Sequence, residues 1–226
     1  MRGETVLLTG FEPFGGDRRN PSIELARSFD GDEIAGLRIV ARQLPCRFAD
    51  AGEQLAAAVD ALQPRLVLAM GLAAGRAELS FERVAINLVD ARIADNGGAQ
   101  PVDEPVCGDG PAAYFSTLPI KRMVAAVRRA GIAASVSHSA GTFVCNQVFY
   151  LLQHHLQRAA PAVPGGFLHL PLLAEQAAER LAAGVAELPA MRFDEMQCGL
   201  RAALVEALEP ADRVAATEMP SEGTLH

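Results

Sequence analysis

Ser137-His138-Ser139-Ala140-Gly141-Thr142-Phe143-Val144-Cys145-Asn146-Gln147-Val148-Phe149-Tyr150 reads as the end of a strand, a turn of small residues and the start of a helix. Ala133 to Val136 are small or β-branched and follow a break at Gly131, as a buried strand does. Ser139, Gly141 and Thr142 supply the turn, and Val148, Leu151, Leu152 and Leu156 then recur at helical spacing. Strand, turn and helix in this order are the repeating unit of an α/β fold. Cys145 falls at or just inside the helix start. The free N–H groups and positive dipole end there favour a negative charge, so they are expected to lower the pKa of a thiol placed on them. Two readings of Cys145 stand side by side, an activated nucleophile or a small core hydrophobe.

Working outward, Phe167-Leu168-His169-Leu170-Pro171 is a short apolar strand that follows the Cys145 helix. The right-handed crossover rule predicts that it lies beside the Ala133–Val136 strand or nearly so. Cys145 and His169 are then expected on the carboxyl edge of one sheet, where α/β sites occur, which makes a cysteine–histidine pair geometrically reasonable. A lone histidine in an apolar strand is otherwise a core residue satisfied by a neighbour. Helical patterns cover Leu173 to Leu181 and Phe193 to Leu208, and the polar tail from 211 to 226 is expected to fray. Upstream, Ile120 to Ala130 is a helix closed by Gly131, with a basic outer face. His154 and His155, late in their helix, suit its negative end and need no catalytic role.

Thr5 to Thr9 is a first buried strand that enters Gly10-Phe11-Glu12-Pro13-Phe14-Gly15-Gly16. This loop lacks the GxGxxG spacing of a dinucleotide fingerprint. Phe11 and Phe14 either wall a pocket or anchor the core. Asn20-Pro21-Ser22 opens a helix to about Phe29, with Asn20 or Ser22 as its cap. Leu37 to Leu44 is a second strand, Phe48 to Leu62 an amphipathic helix, and Leu66 to Met70 a third strand leading into Gly71-Leu72-Ala73-Ala74-Gly75. Ala77 to Val89 is extended with a bend and contains Glu82. Asp90 to Gly110 is a long irregular stretch, of the kind that is functional, mobile or at an interface. The order predicts a single three-layer α/β/α domain over 1–226, with a twisted, mostly parallel sheet and helices on both faces.

The formal net charge of -7 argues against a non-specific nucleic-acid binder or a partner for anionic membranes. The four cysteines form no CxxC pair and no zinc spacing with histidine, so no metal is expected and a reducing cytoplasm suits them. No apolar run approaches a membrane span, and Val6-Leu7-Leu8 is too short for a signal-peptide core.

Several of these stretches together resemble one family. They are Val6 to Gly16 with Asn20-Pro21-Ser22; Phe81-Glu82-Arg83-Val84-Ala85-Ile86-Asn87 with Ala91-Arg92-Ile93-Ala94-Asp95-Asn96; Gly110 to Tyr114 with Leu118-Pro119-Ile120-Lys121; Ser139 to Asn146; and Gly166 to Pro171. In this order and at this length they are similar to the pyroglutamyl peptidase I family of cysteine peptidases. The resemblance implies an omega-type peptidase that removes an N-terminal pyroglutamyl residue from peptides, without metal or cofactor. It implies Cys145 as nucleophile, His169 as acid and base, Glu82 as the group orienting His169, and Arg92 near the developing oxyanion. Asp95 is a second candidate for the third catalytic member. Phe11, Phe14 and Phe143 correspond to the walls of the lactam pocket, and Asn20 and Leu72 complete the candidate binding set. Bacterial members are often tetramers, so a homo-oligomer is expected. The family's usual Gly-Gln-Ala-Gly-Gly-Arg is here Gly71-Leu72-Ala73-Ala74-Gly75-Arg76, so a side-chain role of that glutamine is lost.

The implied chemistry fits the implied substrate. Pyroglutamate has its nitrogen inside a lactam and offers no ammonium for carboxylates to anchor. It calls for a neutral, aromatic-walled slot with a few main-chain hydrogen bonds. Two rivals remain. One is a non-catalytic module that holds a small anion at the Gly10–Gly16 loop and the Cys145 helix start. The other is a related peptidase whose N-terminal specificity is altered through Leu72 and Ala74.

Overall fold

The computed structural model describes residues 3–210 and 221–223. Of the tail expected to fray, 211–220 and 224–226 lie outside the described residues. In chain order the first half holds β1 (Thr5–Phe11), α1 (Pro21–Ser28), β2 (Glu33–Ile34), β3 (Leu37–Leu44), α2 (Ala51–Leu62), β4 (Leu66–Leu72), β5 (Leu79–Glu82) and β6 (Val84–Ile86). The second half holds β7 (Ala113–Phe115), α3 (Ile120–Arg129), β8 (Ala134–Ser137), α4 (Val144–Ala159), β9 (Gly165–Leu170), β10 (Leu172–Leu173), α5 (Ala174–Ala182), β11 (Ala190–Met191) and α6 (Phe193–Leu208).

Seven strands form one sheet in the order β2-β3-β1-β4-β9-β5-β8. Strands β3, β1, β4 and β9 are mutually parallel, and the central β4 is buried along its whole length, as a strand covered on both faces is. β5 then runs antiparallel to β9 and parallel to β8. This corrects the expected route to the site. β8 and β9 are separated by β5 and point in opposite directions, so their carboxyl ends do not share an edge. The turn over 138–143 instead brings the chain back to start α4 near the carboxyl end of β9.

Strand alternation sorts the core into two layers. Val6, Leu8, Leu68, Met70, Leu168 and Leu170 face α1, α3 and α6. Leu7, Val67, Ala69 and Phe167 face α2 and α4. The fold is therefore the expected α/β/α sandwich with a mostly parallel sheet. Each fully buried aromatic, such as Phe149 or Phe167, contributes roughly 1.5–3 kcal/mol of transfer free energy.

Local chemistry explains the element ends that matter for the site. Asn20 caps α1 by accepting from Ser22 N–H at 3.1 Å, and Pro21 takes the first helical position. Gly131 adopts a φ of 82° after α3, as the residue past a helix end often does. At α4 Phe143 occupies the cap position with no side-chain bond, so the first N–H groups of that helix stay free of a side-chain cap.

Candidate active site

His169 pairs in register with Gly71 of β4 on one side and with Ser80 of β5 on the other. Glu82 lies two residues beyond Ser80 and so shares its face of the sheet, the face that α4 covers. From there Glu82 Oε1 meets His169 Nδ1 at 2.7 Å. A carboxylate only accepts, so the imidazole proton sits on Nδ1 and Nε2 keeps a free lone pair. Both side chains are buried, Glu82 completely. The antiparallel β5 is what makes this contact.

Cys145 is the second residue of α4. Its sulfur rests on Gly71, the strand neighbour of His169. A Cβ placed on Gly71 would stand 2.7 Å from Cys145 Sγ and 3.0 Å from Phe167 Cζ. The absence of a side chain at Gly71 therefore makes the seat for the thiol. Asn146, the next residue, is fully buried and locks the helix start to the β6 segment. Its Oδ1 accepts from Ile86 N–H at 3.0 Å, and its Nδ2 donates to the carbonyls of Ile86 and Leu88 at 2.9 Å each.

The electrostatics differ from the expectation for a helix-start cysteine. Burial pushes the Cys145 thiol above its ordinary value, and neighbouring Cys46 and Glu82 add to this. Arg76 and the main chain at the helix start pull the other way without overcoming burial. Burial also holds His169 below the ordinary imidazole value, against the opposing pull of Glu82. Both shifts favour the neutral forms, a thiol and an imidazole whose basic Nε2 can take the thiol proton.

The remaining predicted residues divide clearly. Phe14 and Phe143 are half-buried, with ring centroids 6.1 Å apart, and Phe48 meets Phe143 edge-on at 5.2 Å. Phe11 instead packs into the core against Phe167 at 6.5 Å. Asn20 is buried, where it caps α1 and donates from Nδ2 to the Glu12 carbonyl at 3.0 Å. Leu72 is buried, and strand alternation puts it with Leu68 and Met70 on the face away from Gly71. Arg92 is exposed. Asp95 does not touch His169. Its Oδ2 accepts from Phe48 N–H at 2.7 Å, and its Oδ1 accepts from Gly97 and Ala99 N–H at 2.8 and 2.9 Å. Burial works against its charge, yet these main-chain donors hold its carboxyl below the ordinary value. Asp95 thus organises the loop that sets Phe48 against Phe143.

Sequence reasoning missed Gly71, Arg76, Asn146 and Phe48. Arg76, Gly71 and Asn146 stand inside the quoted motifs, so the motifs were the available signal. Nothing about their spacing reveals their contacts. Phe48 reads as the first residue of an amphipathic helix, whereas α2 begins at Ala51. Among the described residues no group of three His, Cys, Asp or Glu is placed to hold a metal ion, and no helix is long and apolar enough to cross a membrane.

The chain is similar along most of its length to known proteins. The pyroglutamyl peptidase family profile matches residues 4–210. A pyrrolidone-carboxylate peptidase of Pseudomonas fluorescens SBW25 is 56% identical over 209 residues, covering 92% of this chain and 94% of the relative. The enzyme of that name from Cupriavidus taiwanensis is 55% identical over 205 residues, covering 90% and 93%. Among solved structures, pyroglutamyl peptidase I of Bacillus amyloliquefaciens superposes with a TM-score of 0.85 at 43% identity, covering 90% of this chain and 96% of that one. A mutant pyrrolidone carboxyl peptidase of Pyrococcus furiosus gives 0.87 at 39% identity, covering 90% and 98%. The chain belongs to the pyroglutamyl peptidase family of cysteine peptidases.

Proposed function

We propose that the whole chain acts as one catalytic domain that hydrolyses the amide bond after an N-terminal pyroglutamyl residue. The observation that carries this reading is a cysteine sulfur seated on Gly71, beside a buried histidine whose Nδ1 is held by a buried glutamate. A module that merely holds an anion has no use for such a pair.

The reaction follows from the geometry. Cys145 gives its proton to His169 Nε2 as its sulfur attacks the pyroglutamyl carbonyl carbon. The oxygen becomes an oxyanion, held by the Cys145 main-chain N–H and by Arg92 once substrate draws it in. The C–N bond breaks as His169 passes its proton to the leaving amine. Water then attacks the thioester, giving its proton to His169, and pyroglutamate leaves as the thiol is restored. Glu82 stabilises the imidazolium in both halves without taking its proton. Phe14, Phe143 and Phe48 offer the neutral aromatic wall that a lactam requires, and peptides beginning with pyroglutamate are the substrates of this reading.

Free thiols at all four cysteines suit a reducing cytoplasm, and a homotetramer is the proposed assembly. Sedimentation at micromolar concentration checks the assembly. A pyroglutamyl-aminocoumarin substrate is expected to be cleaved under reducing conditions and spared after iodoacetamide treatment. A folded, reduced protein that leaves it intact overturns the peptidase reading, and faster cleavage of prolyl or glutaminyl analogues would point to altered specificity.

A further inference from the structure

Arg76 sits in the loop between β4 and β5. Its Nη1 donates to Glu82 Oε1 at 2.8 Å, the same oxygen that accepts from His169 Nδ1 at 2.7 Å. Its Nη2 donates to the Ser139 carbonyl at 3.0 Å, in the turn that leads to α4 and Cys145. A planar guanidinium holds both from two separate nitrogens in a fixed fork, a geometry that the single nitrogen of an ammonium does not reproduce. Glu82 has no exposed surface, and its Oε2 has no hydrogen-bond partner among the described residues. The Arg76 cation bonded to this carboxylate offsets the hydration it loses on burial.

We propose that Arg76 is a positioning residue of this reaction: it fixes the ionised Glu82 carboxylate against His169 Nδ1 and clamps the Ser139 turn that presents Cys145. The proposal rests on the peptidase reading and deepens it. Arg76 ties its own loop to β5 and to the Ser139 turn: Glu82 is bonded to it directly, Cys145 is carried by the segment that follows the bonded turn, and His169 is reached through Glu82.

The titratable groups bearing on this cluster are Glu82 from β5, His169 from β9, Cys145 from α4 and Cys46 from the segment after β3. Arg76 opposes a positive charge on His169. Its loss should therefore make the imidazole easier to protonate. This moves the acid limb of activity to higher pH.

The test compares Arg76→Gln and Arg76→Lys with the wild-type protein on a pyroglutamyl-aminocoumarin substrate. Arg76→Gln should lower kcat ~10–100-fold, the usual cost of removing an outer partner of a catalytic group, with KM changed less than ~threefold. Its acid limb of kcat/KM should move up. Arg76→Lys should keep that limb near the wild-type position while kcat still falls ~10-fold, because one ammonium cannot replace the fork. A folded Arg76→Gln with kcat within ~twofold of wild type, or with reduced kcat and an unmoved limb, overturns the proposal. If Arg76→Gln does not fold, wild-type turnover in Arg76→Lys overturns it instead. The pH dependence of iodoacetamide labelling, followed on the Cys145 peptide by mass spectrometry, reads the same coupling without hydrolysis. A shift there supports the Arg76 link even if the wild-type protein were to cleave no pyroglutamyl substrate, a result that would sink the peptidase reading alone.

Discussion

At the residue scale, the site is a competition between burial and partners. Burial raises the Cys145 thiol and lowers the His169 imidazole, so both shifts favour the uncharged forms. Glu82 then gains its importance as the charge that makes imidazolium tolerable. Cys145→Ser and His169→Ala should each cost ~10³-fold or more in kcat while the far-UV spectrum is unchanged. His169 also links pH to stability. Its folded pKa lies below its unfolded value of about 6.5, so its contribution is complete above that value and is lost as pH falls through the window beneath it. The thermal midpoint of the wild-type protein should fall as pH drops below about 6.5, and His169→Gln should flatten that part of the curve. Equal slopes for the two proteins would show that other groups carry the acid sensitivity. The proposed roles of Cys145, His169 and Glu82 were legible because each sits in a motif of recognisable residues. The expected role of Phe11 in the pocket was not separable from a core role by sequence, since an aromatic at a strand end serves either. The structure buries it against Phe167.

At the element scale, the site depends on how closely α4 lies on β4. Helix ends were readable to within a few residues: the pattern from Phe193 to Leu208 coincides with α6, and Leu37 to Leu44 with β3. Apolar periodicity and proline or glycine stops carry that information locally. The direction of β5 was not readable. Four residues with no helix on either side of the β5–β6 bend give no crossover to reason from, so strand order beyond β9 is decided by tertiary packing alone. The same limit hid the role of Gly71, because only the placement of β4 beneath Cys145 makes its missing side chain matter. Gly71→Ala should therefore be disproportionately harmful. Its new Cβ would meet the sulfur at 2.7 Å and a fully buried Phe167 ring at 3.0 Å, so the thiol is what must move. Overpacking of this kind costs about 1–3 kcal/mol of stability. A displaced nucleophile should lower kcat ~100-fold with KM little changed. Denaturant unfolding and steady-state kinetics on one preparation separate the two effects, and a variant that is destabilised yet fully active would show that the thiol has another seat.

At the scale of the whole molecule, the chain holds its site from outside as well as from within. Arg180 of α5 pairs with Asp17 at 2.6 Å, and Gln176 donates to the Arg19 carbonyl at 3.2 Å, bracing the loop that carries Phe14. At the far end of the sequence, Glu222 receives both arms of Arg128 at 2.7 and 3.2 Å, and its carbonyl lies 3.1 Å from His138 Nε2. These contacts tie 221–223 to α3 and to the turn that precedes Cys145, where composition alone predicted fraying. Polar residues without periodicity do look like a loose tail, because a docking contact made by one carboxylate leaves no pattern to detect. The energetic weight of this tie is small. Arg128 is 44% exposed in its side chain, and a screened pair of that kind is worth about 0.5–1 kcal/mol. The Arg76 bond to Ser139 holds the same turn from the inner side and does not involve the tail. Ending the chain after Pro210 should therefore lower the unfolding free energy by about 1 kcal/mol, a loss reduced by added salt, and leave kcat within ~twofold. Urea unfolding at low and high ionic strength, with turnover of the same samples, distinguishes the outcomes. A collapse of kcat at unchanged stability would mean that the tail, rather than Arg76, sets the turn that presents Cys145.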